Sequence, residues 1–221
     1  MPSRTRRLSD RIVRPVASLL LSVGSLEARA TSSADELVRQ AQAHELANEP
    51  DTAARRYTEA LSIDPSDASA WLGLAALRLK LDDAGEAERV YTAALEHVPT
   101  LAQALAGRAR ARWQLGRHRA AEIDMDRYAA ATDDATATRE LSEWYAYDGR
   151  LPAQLALWRR MLATAMERAD GRGAREARTM VLALSVLVDG ADPATAPADP
   201  DSTRLALAAI ARRAFANPRP P

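Results

Sequence analysis

The 221-residue sequence contains no cysteine and a single phenylalanine, and Lys80 is the one lysine among its 30 basic residues. Without cysteine the chain can form neither disulfides nor thiolate metal sites, and it cannot use a cysteine nucleophile. Isoleucine and the aromatic residues, which favour strands, are scarce, and the apolar 47% of the chain consists mainly of alanine and leucine. Because alanine and leucine are strong helix formers, the composition predicts an all-α fold.

The charge is balanced overall but unevenly distributed. Residues 1–30 hold six arginines and two acidic residues, which leaves 24 basic and 28 acidic residues for residues 31–221. Nucleic-acid binding needs a concentrated basic surface, and this weakly acidic body argues against a nucleic-acid partner.

Residues 1–30 are predicted to be a signal peptide or basic leader. An arginine-rich start is followed by the apolar residues 16–24 and then by Ala28-Arg29-Ala30, a small-x-small cleavage pattern. The apolar stretch is too short to span a membrane, so no transmembrane span is expected in the mature chain. This order predicts a periplasmic or secreted protein. The alternative is a basic leader on a cytoplasmic protein.

The chain repeats itself with a period of about 34 residues, a length typical of repeat architectures. Trp71 is followed by Ala87, Tyr91, Ala94 and Pro99. The corresponding residues are Leu37, Ala53, Tyr57, Ala60 and Pro65 one period earlier, and Leu105, Ala121, Met125, Tyr128 and Asp133 one period later. Small residues at such spacings let two helices approach closely, and the prolines end the second helix of each pair.

This pattern resembles the tetratricopeptide repeat (TPR) family. The resemblance implies an all-α, right-handed α-solenoid of antiparallel helix pairs in residues 31–168. Its units are residues 34–67, 68–101, 102–134 and 135–168, the last with a one-residue shift. Residues 169–216 are expected to form a C-terminal helical pair or cap with a proline-rich linker at 190–200, before a tail at 217–221. The two helices of this cap are predicted at Ala174–Asp189 and 202–216.

No catalytic constellation is visible in the sequence. The three histidines, His44, His97 and His118, are isolated from one another, and no carboxylate accompanies them at metal-ligand spacing. A glycine-rich phosphate loop and a Gly-x-Ser-x-Gly elbow are both absent from the sequence. We therefore expect a protein that is not an enzyme, with no cofactor and no metal site.

The resemblance also suggests where a partner segment binds. In the family, the first helix of each pair lines the concave face, and the corresponding residues here are predicted to contact a partner. They are Val38, Gln42, Leu72, Ala76, Leu79, Ala106, Arg110, Trp113 and Arg139. The alternative is that Leu79 and Trp113 pack against neighbouring segments of the same chain. The third unit also has an arginine cluster, which is predicted to be solvated or paired with Glu122, Asp124 and Asp126. Its members are Arg108, Arg110, Arg112, Arg117 and Arg119.

One TPR subgroup holds a C-terminal carboxylate with Lys, Asn and Arg side chains in this groove. The matching positions here carry no such set, so that mode of binding is not expected. They are Val38, Gln42, Gly73, Gln103 and Gly107.

These observations predict a protein–protein interaction adaptor or assembly scaffold of the bacterial cell envelope, binding a partner segment in the concave groove. Three alternatives stay open: a cytoplasmic scaffold, a self-assembling oligomer, and a non-catalytic subunit that targets an enzyme. Self-association would use the apolar run from Met180 to Leu184.

Overall fold

A computed structural model of the chain describes residues 33–132, 134–190 and 208. The predicted leader, most of the linker at 190–200, the helix at 202–216 apart from residue 208, and the tail lie outside the described residues. Residues 33–190 hold nine helices. They are α1 (33–46), α2 (Pro50–Ile63), α3 (Ala68–Lys80), α4 (Ala84–His97), α5 (Ala102–Gln114), α6 (His118–Thr132), α7 (Ala135–Tyr147), α8 (Leu151–Glu167) and α9 (Gly171–Asp189). In this part of the chain every regular element is a helix, so the predicted all-α fold is confirmed.

Aspartates fix the starts of four helices. The side chain of Asp67 accepts hydrogen bonds from two backbone N–H groups at the start of α3, and Asp134 does the same for α7. Asp170 caps α9 in the same way, and Asp83 accepts one such hydrogen bond, from the N–H of Glu86 in α4. Each cap satisfies backbone donors that have no partner inside the helix. The cap at Asp170 also lets α9 begin at Gly171, three residues before the predicted start.

The turn inside each helix pair contains one residue in the left-handed conformation. These residues are Asn48, Asp82, Gly116 and Gly149, with φ between 58° and 71°. The first three are evenly spaced, and the interval from Gly116 to Gly149 is shorter by one. The starts of α3, α5 and α7, at positions 68, 102 and 135, show the same shortening. The repeat is therefore one residue shorter before the fourth pair, in agreement with the predicted shift.

The chain divides into two compact units, residues 1–111 and 112–221. In unit 1, Ala41, Ala75 and Ala104 are completely buried where the helices pack together. The ring of Trp71 stacks on His97, with 5.4 Å between ring centroids, and its Nε1 donates to the carbonyl oxygen of Pro65 at 2.9 Å. Small and aromatic residues of the repeating pattern thus form the core of this unit.

Unit 2 contains α6 to α9 and a core centred on Trp158 and Leu184. Ser142 is buried on α7 and accepts hydrogen bonds from Trp158 Nε1 at 2.7 Å and from Gln154 Nε2 at 2.9 Å. Met180 and Val181 pack against this same core. Much of the apolar run from Met180 to Leu184 is therefore used inside the unit.

Candidate partner-binding site

Three of the predicted contact residues in unit 1 are exposed and occupy equivalent positions. Gln42 lies on α1, Ala76 on α3 and Arg110 on α5, each one period from the next, and all three side chains are exposed. Leu72 and Leu79 on α3 are partly buried and pack against the core. We call these five residues the partner face of unit 1.

Two other predicted contact residues belong to the core. Val38 is 6% exposed and Ala106 is 4% exposed. Both lie four residues before an exposed member of the partner face and so on the same side of their helix, but neighbouring residues cover them. They offer almost no surface to a partner, and the partner face does not include them.

Tyrosine rings fill the space that larger residues would need at two of the groove positions. A Cβ atom on Gly73 would come within 2.5 Å of Cε1 of Tyr57, and one on Gly107 would come within 2.5 Å of Oη of Tyr91. Both tyrosines are buried. No side chain fits at either glycine unless its tyrosine moves, which is a physical reason for the absence of the carboxylate-binding set.

Tyr57 is also held by a hydrogen bond. Its Oη donates to Oε1 of Glu45 on α1 at 2.6 Å. Burial raises the pKa of the Tyr57 hydroxyl well above its usual range, and the hydrogen bond and charge of Glu45 raise it further. The hydroxyl therefore stays protonated and remains a donor.

Trp113 belongs to an aromatic cluster in unit 2 that also contains His118, Trp144 and Tyr147. The Trp113 ring stacks on His118 with 4.0 Å between centroids and on Trp144 with 4.7 Å, and Tyr147 approaches it edge-on at 5.5 Å. His118 Nδ1 is hydrogen-bonded to Oδ1 of Asp148 at 2.9 Å. Trp113 is only partly exposed. Its role in partner binding stays a prediction, and its side chain offers a partner less surface than the sequence suggested.

His118, Trp144 and Tyr147 were not predicted as members of this cluster. Trp144 lies one shortened period after Ala111. It therefore occupies the position at which the preceding repeat has a small, buried residue. The one-residue shift of the fourth repeat was the signal that could have placed Trp144 there. Nothing in the spacing alone identifies His118 as its neighbour in the cluster.

Arg139, the last predicted contact residue, forms a two-point ion pair with Glu176. Its Nε and Nη2 atoms lie 2.6 and 2.7 Å from the two carboxylate oxygens, which joins α7 to α9. The hydrogen bond from Arg139 lowers the pKa of Glu176 and outweighs the opposing effect of burial. A partner carboxylate would have to compete with Glu176 for Arg139.

The predicted pairing of the arginine cluster is confirmed for Arg112 and Arg119. Arg112 Nη1 donates to Oδ2 of Asp124 at 2.6 Å, and Arg119 Nη1 donates to Oε2 of Glu122 at 3.0 Å. Arg150 donates to the same oxygen of Glu122. Both carboxylates are 1% exposed. These arginines compensate buried negative charges and are not available as a free cationic patch.

Neither a metal site nor a membrane span is found within the described residues. No group of three or more histidines, aspartates or glutamates there is arranged to hold a metal ion. The helices in the same ranges include none with the length and hydropathy needed to cross a membrane.

Comparison with known proteins gives the following matches. Residues 46–91 match the tetratricopeptide repeat family, and no curated protein sequence matches the chain. The crystal structure of MamA is similar over 84% of this chain and 91% of its own, with 14% identity and a TM-score of 0.56. YrrB, described as a TPR protein with an unusual peptide-binding site, is similar over 81% of this chain and 84% of its own, with 17% identity and a TM-score of 0.53.

The first TPR domain of human RPAP3 is similar over a shorter range. It covers 56% of this chain and 96% of its own, with 21% identity and a TM-score of 0.50. At these identities the three likenesses concern the fold, and they confirm the predicted class of TPR helix pairs.

Proposed function

Since the chain is a tetratricopeptide-repeat protein, we propose that it is a protein–protein interaction adaptor or assembly scaffold. Stacked helix pairs present extended surfaces on which a segment of another protein can lie. YrrB, which shares this fold, is described as having a peptide-binding site. The proposal fits the lack of a catalytic constellation in the sequence.

The observation that carries this proposal is the partner face of unit 1. Gln42, Ala76 and Arg110 recur at the repeat interval and are exposed on α1, α3 and α5. Leu72 and Leu79 add partly exposed apolar surface beside Ala76. The face combines apolar, amide and cationic groups, which suits a peptide segment with an apolar residue and an acidic flank.

The proposal includes a place in the cell envelope. It is supported by the order of basic, apolar and small residues in the leader, residues 1–30. The mass of the chain isolated from its native host tests this part. A chain that begins near Thr31 supports export, and an intact leader contradicts it.

The partner face is tested by affinity capture from the native host, using the full chain and an Ala76→Glu variant as baits. Glutamate is a good helix former, so the substitution should leave helicity and melting unchanged while placing a charge in the middle of the face. The control is Ala156→Glu, at an exposed position of α8. We expect the parent chain and the control to retain the same partner, and Ala76→Glu to lose it.

Two outcomes would contradict the proposal. Equal capture by all three baits would show that the partner does not use this face of α3. Recovery of the bait alone from envelope and cytoplasmic fractions would contradict the adaptor function itself.

A further inference from the structure

Unit 1 has a pocket of about 460 Å³ that is separate from the partner face. We call it the Arg78 pocket. Five of its lining residues come from α2 and one from α3: Asp51, Ala54, Arg55, Thr58, Glu59 and Arg78. Arg78 follows Ala76 by two residues, about 200° around the helix, so the pocket and the partner face lie on different sides of α3. The two sites can therefore be tested independently.

The Nε–H group of Arg78 lacks a hydrogen-bond acceptor. Its Nε atom is buried and has no hydrogen-bond partner, and no ion pair to Arg78 is found within the described residues. A guanidinium keeps its charge at every physiological pH, so it cannot relieve this need by losing a proton. A buried N–H donor without an acceptor is unfavourable, and an anion that enters the pocket can supply the acceptor that Nε lacks.

The repeats on either side show what Arg78 lacks. One period later, Arg112 is paired with the buried carboxylate of Asp124 at 2.6 Å. One period earlier, His44 Nδ1 is hydrogen-bonded to Glu49 at 2.7 Å. The residue one period before Asp124 is Val90, a core residue with no acceptor. Among three equivalent positions, Arg78 is the one whose side chain forms no ion pair or hydrogen bond with a carboxylate in the described part of the chain.

We propose that the Arg78 pocket binds a single carboxylate group presented by a peptide, with Arg78 as its ion-pair partner. The pocket already holds two arginines and two acidic residues, Asp51 and Glu59. Glu59 accepts a hydrogen bond from Arg56 at 2.7 Å, and Arg55 donates to Thr52 at 3.2 Å. One added negative charge matches the charge of Arg78, and Asp51 and Glu59 repel a singly charged carboxylate less strongly than a doubly charged phosphate.

The test follows the side-chain Nε–H resonance of Arg78 by NMR in the full chain, assigned by its loss in Arg78→Met. The probes are the blocked peptide N-acetyl-Ala-Glu-Ala-amide, its Gln counterpart, and the Gln peptide with a free C-terminal carboxylate. Inorganic phosphate is the fourth probe. We expect a saturable shift with one or both carboxylate peptides and binding at least about tenfold weaker for the blocked Gln peptide. The comparison of the two carboxylate peptides separates a side-chain source from a chain-end source.

Stability provides a second readout that needs no ligand. Arg78→Met removes an arginine that has no ion pair, and we expect the melting temperature to stay the same or rise. Arg112→Met is the matched control, because it leaves Asp124 buried without its partner, and its melting temperature should fall. A fall for Arg78→Met equal to that of the control would overturn the proposal. So would shifts with both carboxylate peptides that are no larger than the shift with the blocked Gln peptide, or tighter binding of phosphate than of either carboxylate.

Discussion

The Trp113 ring stacks on two other rings, those of His118 and Trp144. Replacing Trp113 by alanine removes both stacking contacts and leaves a hole beside Trp144. We expect Trp113→Ala to lower the free energy of unfolding by about 2–3 kcal/mol, because aromatic stacking and apolar burial are lost together. Urea unfolding followed by circular dichroism measures this change.

Tyr147→Ala is the comparison for this prediction. Tyr147 is 50% exposed and meets Trp113 edge-on, so its removal should destabilise the chain by less than half as much. Equal losses for the two variants would mean that the stack on Trp113 contributes nothing beyond the burial of one more aromatic ring.

The roles of individual side chains were the least predictable part of the sequence. The family resemblance implied that Gln42 and Ala76 line the concave face, and both are exposed. It gave Val38 and Ala106 the same role although both are buried. Exposure at a helical position depends on which neighbouring helix covers it, and the sequence of one helix does not contain that information. The same limit applies to Arg139, whose partner Glu176 is 37 residues away.

Helices α2 and α3 pack closely where Gly73 of α3 lies against the ring of Tyr57 of α2. We expect Gly73→Ala to lower the free energy of unfolding by about 1–3 kcal/mol, because the added methyl group overlaps a buried ring. This loss would appear despite the gain of about 1 kcal/mol in helix propensity that alanine brings over glycine. Chemical denaturation measures the net effect.

Gly85→Ala is the control for Gly73→Ala. Gly85 lies in α4, and a Cβ atom there meets no atom within 4 Å. Its substitution should leave stability unchanged or raise it slightly. If both variants were equally stable, Tyr57 would have to move without loss, and the close packing of α2 on α3 would not limit residue 73.

The presence of the helix pairs was predictable from the sequence, but the start of α9 was predicted three residues too late. The regular spacing of small residues, aromatics and turn residues identified the helix pairs, and local chemistry at Asp67 and Asp134 fixes where α3 and α7 begin. A capping side chain acts within a few residues, and the repeat spacing is visible along the chain itself. One sequence is therefore enough to identify both signals. The extent of α8, which continues for 17 residues, had no such local signal.

Lowering the pH should reduce the folding stability of the chain, because it protonates Glu176 in its ion pair with Arg139. The folded-state pKa of Glu176 is below its ordinary value of 4.5. The pair therefore contributes its full stability above about pH 4.5 and loses it as the pH falls through the folded-state pKa. Because the two side chains are 43% and 34% exposed, the contribution is about 1 kcal/mol.

The measurement compares the parent chain with Glu176→Gln by urea unfolding between pH 7 and about pH 3. The difference in unfolding free energy should be greatest at pH 7 and shrink toward zero in acid. Glu167→Gln, at an exposed position at the end of α8, should show no such trend. A difference for Glu176→Gln that does not vary with pH would contradict the assigned role of the carboxylate charge.

The close fit of Tyr57 against Gly73, and of Tyr91 against Gly107, also has a consequence for how this sequence can evolve. A large residue at 73 is tolerated only after Tyr57 becomes smaller, and a smaller residue at 57 leaves a void unless position 73 fills it. Either first step is disfavoured when taken alone. In homologous chains the two positions of each pair should therefore change together, and the repeat should retain its Tyr–Gly combination longer than its surface residues.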